Sequence, residues 1–138
     1  MSLLGYLKGF LNGTRLSEIA RGYLQTALLV ETDENDESYD RSYSVSDFSE
    51  NAVVKAEHDC REFAADNAGL YRQIGIDDER AGGLFWLTRT GSGVTFMDNF
   101  KTGSVEMQIA KKLHTNARKY GEAHVHANDE GELDIFTG

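Results

Sequence analysis

Large apolar side chains recur at helical spacing near the start of the chain. Leu3, Leu4, Leu7, Phe10 and Leu11 stand three and four residues apart, as one face of an α-helix requires. Asn12-Gly13 supplies a stop. Thr14 can cap a second helix, whose face is Leu16, Ile19, Ala20, Tyr23, Leu24, Ala27 and Leu28. The periodicity then disappears. Residues 31–50, ETDENDESYDRSYSVSDFSE, are crowded with Asp, Glu and Ser and predict a solvated acidic loop over 31–48. Asp47 and Glu50 have capping-box spacing ahead of a third helix over about 49–74, with Val53, Ala56, Cys60, Phe63, Ala64, Leu70 and Ile74 on its buried face.

GIDDERAGG reads as a breaker. After it, Leu84-Phe85-Trp86-Leu87 is a short aromatic-rich apolar run of the kind a covered strand shows. Thr90-Gly91-Ser92-Gly93 provides turn residues, and Val94-Thr95-Phe96-Met97 is again strand-like. A helix is expected from about 103 to 120, on Val105, Ile109, Leu113, Ala117 and Tyr120, with Lys111, Lys112, Arg118 and Lys119 toward its C-terminal end and Gly121 as its stop. AHVHA and ELDIF around NDEG form a closing hairpin. The expected fold class is α+β: N-terminal helices, then a β-hairpin, helix, β-hairpin unit whose four strands make one antiparallel sheet. With 138 residues, the chain suits a single domain over 1–138, with 1–12 as an amphipathic arm and 31–48 as an acidic loop.

Charge narrows the partners. The formal net charge is −9, and 15 of the 23 acidic residues fall within 31–79 against four basic ones. A nonspecific binder of nucleic acid or of anionic membranes needs a basic face, so neither partner is expected. No stretch reaches the roughly 18 apolar residues of a membrane span. A single cysteine, Cys60, cannot close an internal disulfide and suits a reducing cytoplasm.

Several chemistries fail on context. A phosphate-binding loop needs a helix start directly after its glycines, whereas Val94, Thr95 and Phe96 follow here. Cys60 and His58, two apart on a helix, point away from each other and cannot act as nucleophile and base. His124 and His126 share one strand face and could hold a metal only with a third ligand; Glu132 and Asp134 are the nearest candidates across the hairpin. No catalytic residue, cofactor or metal site is assigned. What remains is the acidic surface. Asp33, Glu34, Asp36, Glu37 and Asp40 in the loop, with Asp59, Glu62 and Asp66 neighbouring one another along the helix, form a face suited to a protein partner with a basic surface. Trp86 and Arg89 join this set if exposed. The alternatives are an assembly protein that oligomerises through Leu3–Leu11, and a small metal-dependent enzyme using the two histidines.

FWLTRTGSGVTFMD resembles a motif in small proteins of tailed bacteriophages, commonly Phe-Trp-Leu-Thr-Arg-Asn-Gly-His-Gly-Ala-Gly-Phe-Trp-Asp. Phe85, Trp86, Leu87, Thr88, Arg89, Gly91, Gly93, Phe96 and Asp98 match. Thr90, Ser92 and Met97 stand where Asn, His and Trp are usual; Ser92 in place of His argues against an acid–base role for the turn. YLQTALLVETDENDE, Tyr43, DCREF and YGEAHVHANDEGELDIF resemble other blocks of the same family, so the likeness runs from about Tyr23 to Phe136. It brings no catalytic residues. It implies a phage origin and the host bacterial cytoplasm as location. A small acidic phage protein without a visible active site is expected to be an accessory binding protein that engages a nucleic-acid-handling or defence complex.

Overall fold

Serine and aspartate caps, each followed by an acid in the first turn, set the helix starts. A computed structural model describes residues 16–137; the Leu3–Leu11 segment, Asn12-Gly13 and Thr14 lie outside them. Ser17, Ser49, Asp77 and Ser104 each accept a backbone N–H at the head of a helix, satisfying a donor that has no partner within the helix. The helices are α1, Glu18–Val30; α2, Glu50–Gln73; α3, Asp78–Thr90; and α4, Val105–Arg118. Strands β1, Ala123–Ala127, and β2, Leu133–Thr137, follow as an antiparallel hairpin with Val125 opposite Ile135. The fold is α+β.

The sequence reading fails at 84–97. Leu84–Leu87 is not a strand but the middle of α3, and Val94–Met97 lies in a loop of turns. The described sheet therefore has two strands rather than four. An apolar run this short fits a buried strand or a helix buried nearly all round. The caps decide. Asp77 caps the start, Asp78 and Glu79 favour the positive end of the helix dipole, and Gly91 closes the helix at φ 73°, a left-handed conformation that glycine adopts without Cβ strain.

The two glycines expected to break the chain, Gly82 and Gly83, are inside α3, against α1. A Cβ on Gly82 would lie 1.9 Å from the Ile19 carbonyl oxygen, and one on Gly22 would lie 1.8 Å from that of Glu79. The two helix backbones touch, and only glycine fits there. Behind this contact, Phe63 and Phe85 stack at 4.4 Å, and Trp86 meets Tyr23 edge-on at 5.0 Å. Phe48, Phe96, Leu113 and Leu133 complete the core from the other elements.

Residues 31–49 form a tied-down loop rather than a simple solvated excursion. Thr32 bridges Ser38, and two short 3-10 turns follow, Tyr39–Arg41 and Val45–Asp47. Asp47 does not cap α2 as expected. It caps the second 3-10 turn with Ser44, and Ser49 takes the α2 position. Tyr39 and Phe48 are buried, and the Ser49 N–H donates to the Leu133 carbonyl at 2.8 Å, which covers part of the β2 edge.

Candidate functional site

The carboxylates on α2 share a helix edge but not an environment. Asp59 faces inward and accepts a bond from Arg89 Nη1 at 2.8 Å. Arg89 is 1% exposed, and every arm of its guanidinium is used: Nε donates to the Gly121 carbonyl at 3.0 Å, Nη2 to the Tyr120 carbonyl at 2.8 Å, and Nη1 also to the Tyr23 hydroxyl at 3.0 Å. Its guanidinium carbon lies 5.5 Å from the Phe85 ring centroid and 5.6 Å from that of Tyr120. Arg89 thus pins the end of α3 to the turn after α4. A buried charge is tolerable only when paired and bonded in this way.

Three expected contact residues are corrected by this geometry. Arg89 is an internal tie, Trp86 is fully buried, and Asp59 neutralises Arg89. None of the three displays itself to a partner. The inward placement of Arg89 follows from α3 being a helix: residues 81, 85 and 89 fall on one face of it and are buried.

Glu62 and Asp66, one and two turns further along α2, are exposed. They edge an open groove of about 490 Å³ between α2 and α4 that Asn67, Asn116, Lys119 and Tyr120 also line. The Tyr120 hydroxyl donates to Glu62 Oε1 at 2.9 Å. Asn67 is 2% exposed; its amide donates to the Phe63 carbonyl and its Oδ1 accepts from Asn116 at 2.8 Å, so the two helices are clasped beneath the carboxylates. Burial raises the Tyr120 pKa, and the Glu62, Asp66 and Asp59 carboxylates raise it further. The hydroxyl therefore stays protonated and keeps its hydrogen bond to Glu62. Asn67, Asn116 and Tyr120 were not singled out from the sequence as site residues; the i, i+4 step from Phe63 to Asn67 on an apolar face was the available signal.

The loop acids form a second patch. Glu34, Asp36, Glu37 and Asp40 are exposed, while Asp33 is half-buried and its carboxylate accepts the Asn35 and Glu37 N–H groups at 2.8 and 3.1 Å. Glu37 pairs with Arg41 at 3.3 Å. Asp33, Glu34, Tyr39, His126 and Ala127 line one hollow, so this patch lies at the Ala127 end of β1. The Glu62–Tyr120 contact lies ahead of the Ala123 end. The acidic region read as continuous is two patches at opposite ends of that strand.

The histidines do not converge. The His124 ring lies 3.6 Å from Glu31 and 3.4 Å from Glu122, both carboxylates, and His126 packs edge-on against Phe136. Among the described residues no three of His, Cys, Asp and Glu are placed to hold a metal ion, and no helix is long and apolar enough to cross a membrane. Cys60 is fully buried, and its thiol pKa is raised by that burial and by Glu57 and Asp59. It has little thiolate character at neutral pH.

Comparison with family models, with curated proteins and with solved structures returns no match for this chain.

Proposed function

We propose that this chain is a non-enzymatic accessory protein that binds a basic surface on another protein, with the Glu62–Asp66 groove as the anchoring site and the 34–40 loop as a second contact. The observation that carries this reading is the groove itself. Two exposed carboxylates stand over a clasped amide floor, beside a tyrosine hydroxyl held protonated. Small-molecule sites are mostly apolar and enclosing; an open polar groove with carboxylates on its edge suits an arginine or lysine side chain from a macromolecular partner. The net charge of −9 steers such a partner in from a distance. The resemblance of the 85–98 block to tailed-phage proteins supports a place in the bacterial cytoplasm during infection and a role in obstructing a host nucleic-acid-handling or defence complex.

The test uses the immobilised full chain to capture a partner from infected lysate, with washes of rising salt. A basic protein is expected to be retained at low salt and released toward 1 M, where screening acts over only about 3 Å. Glu62→Gln with Asp66→Asn should release it at lower salt. Asp59 is left intact, because changing it strands the buried Arg89 charge. A partner whose retention ignores both salt and these substitutions overturns the reading.

A further inference from the structure

The hollow where the acidic loop meets the Ala127 end of β1 has a volume of about 280 Å³ and an aromatic wall made of Tyr39, Tyr43 and the His126 ring. The two tyrosine rings stand at 61° to each other with centroids 5.8 Å apart. His126 is held edge-on against Phe136 at 5.7 Å. Asp33 and Glu34 supply two carboxylates, and no lysine or arginine among the described residues lines the hollow. We propose that this hollow binds a quaternary ammonium group, with the aromatic rings and the two carboxylates together balancing its charge. The site lies at the opposite end of β1 from the Glu62–Asp66 groove, and it stands or falls independently of that groove.

Three observations support that ligand class. The first is ring geometry. A cation is attracted by an aromatic ring within about 6 Å of its centroid, and two inclined rings 5.8 Å apart leave positions within reach of both. The second is charge. Burial raises the Tyr39 pKa and Asp33 raises it further, so the hydroxyl stays neutral and the Asp33 and Glu34 carboxylates give the hollow its sign. The third is hydrogen bonding. Asp33 Oδ1 already accepts the Asn35 and Glu37 N–H groups, and the Tyr39 hydroxyl accepts the Ala127 N–H. A primary ammonium brings three donors that need acceptors. A quaternary ammonium brings only charge and methyl groups, which suits a hollow whose acceptors are in use.

Titration of the full chain with choline chloride, followed through its backbone amide NMR spectrum, tests this. The Ala127 N–H bonds the Tyr39 hydroxyl and reports the hollow; the Tyr120 amide, at the other groove, is the reference. A saturable shift is expected at Ala127 and none at Tyr120. Neohexyl alcohol, the neutral isostere with carbon in place of the charged nitrogen, should bind on the order of tenfold more weakly. Tyr43 is half-buried, so its ring can be changed without emptying the core. Tyr43→Phe keeps the aromatic face and should bind choline as the unmodified chain does. Tyr43→Leu should weaken choline on the order of tenfold, while unchanged emission from the buried Trp86 shows that the fold is intact. An acetylated and amidated Gly-Lys-Gly peptide, trimethylated on its lysine, separates the sources: tighter binding than choline assigns the group to a methylated side chain of a partner, and weaker binding assigns it to a free amine. Equal affinity for choline and neohexyl alcohol overturns the proposal, and so does a choline affinity that Tyr43→Leu leaves unchanged or the absence of a saturable shift at Ala127.

Discussion

Arg89 carries a buried charge with four hydrogen-bond partners. Its charge is offset by one carboxylate, two carbonyls and a tyrosine hydroxyl, so removing it strands Asp59 as well as opening a void. Arg89→Ala should lower unfolding stability by about 3–5 kcal/mol, the range for breaking a buried pair, measured by urea denaturation. Arg89→Lys should recover little of this, since an ammonium cannot reproduce the planar fork that reaches Gly121 and Tyr120 together. Trp86 offers a separate check. It is the chain's only tryptophan and is fully buried. Its emission should be blue-shifted and resistant to iodide quenching, before and after a partner binds; a readily quenched signal in the native state contradicts its interior position.

Among the elements, the α1–α3 contact depends on the absence of two β-carbons. Gly82→Ala forces a methyl into the Ile19 carbonyl, and the helices must separate, so a loss of about 1–3 kcal/mol or more is expected, as for overpacked cores. Gly69, on α2, has open space around its Cβ position, and Gly69→Ala should instead stabilise by roughly 0.5–1 kcal/mol. Opposite signs for one substitution in two helices are read directly from thermal melts. Asp78 joins α2 to α3 by accepting the Tyr71 hydroxyl at 2.6 Å and the Arg72 guanidinium at 2.9 Å. These partners, Tyr71 foremost, hold its pKa below the ordinary carboxylate value. Its contribution is therefore complete above about pH 4, the unfolded value, and is lost as pH falls through the lower folded value. Asp78→Asn should flatten the acid limb of the stability–pH curve in that window. The elements that were legible in the sequence show why α3 was not. The α2 stripe and the closing hairpin carry one clear period each, 3.6 for Val53–Ala56–Cys60–Phe63 and 2 for Ala123–Val125–Ala127. In α3 nearly every side has a neighbour, so apolar residues and glycines occupy all faces and the period vanishes. Its glycines are packing positions, which have the same sequence signature as turns.

At the scale of the whole molecule, the question is how charge is distributed after folding. Sequence placed Asp59, Glu62 and Asp66 on one edge, and that placement holds. It could not show that Asp59 has an internal partner 30 residues away, because long-range pairing leaves no periodic trace. The other anions of the expected contact set divide into the groove pair and the loop group at opposite ends of β1. Neutralising Glu34, Asp36, Glu37 and Asp40 together should weaken partner binding through the association rate, with a reduced salt dependence. Neutralising Glu62 and Asp66 should act mainly on dissociation, as expected for a seated cation. The two losses should add, since the patches share no contact. Surface plasmon resonance at two ionic strengths separates these effects; a loop variant that changes only the off-rate would show that the loop, and not the groove, is the seat.

The tie from Arg89 to the Tyr120 and Gly121 carbonyls has a practical consequence for mutational screens. A library scored only on capture of the partner would flag Arg89 and Trp86 as contact residues, because loss of either disturbs the wall that carries the Tyr120 hydroxyl. Scoring the same library for soluble abundance should separate the two groups: interior variants fall on both measures, whereas Glu62 and Asp66 variants keep their yield and lose only the partner.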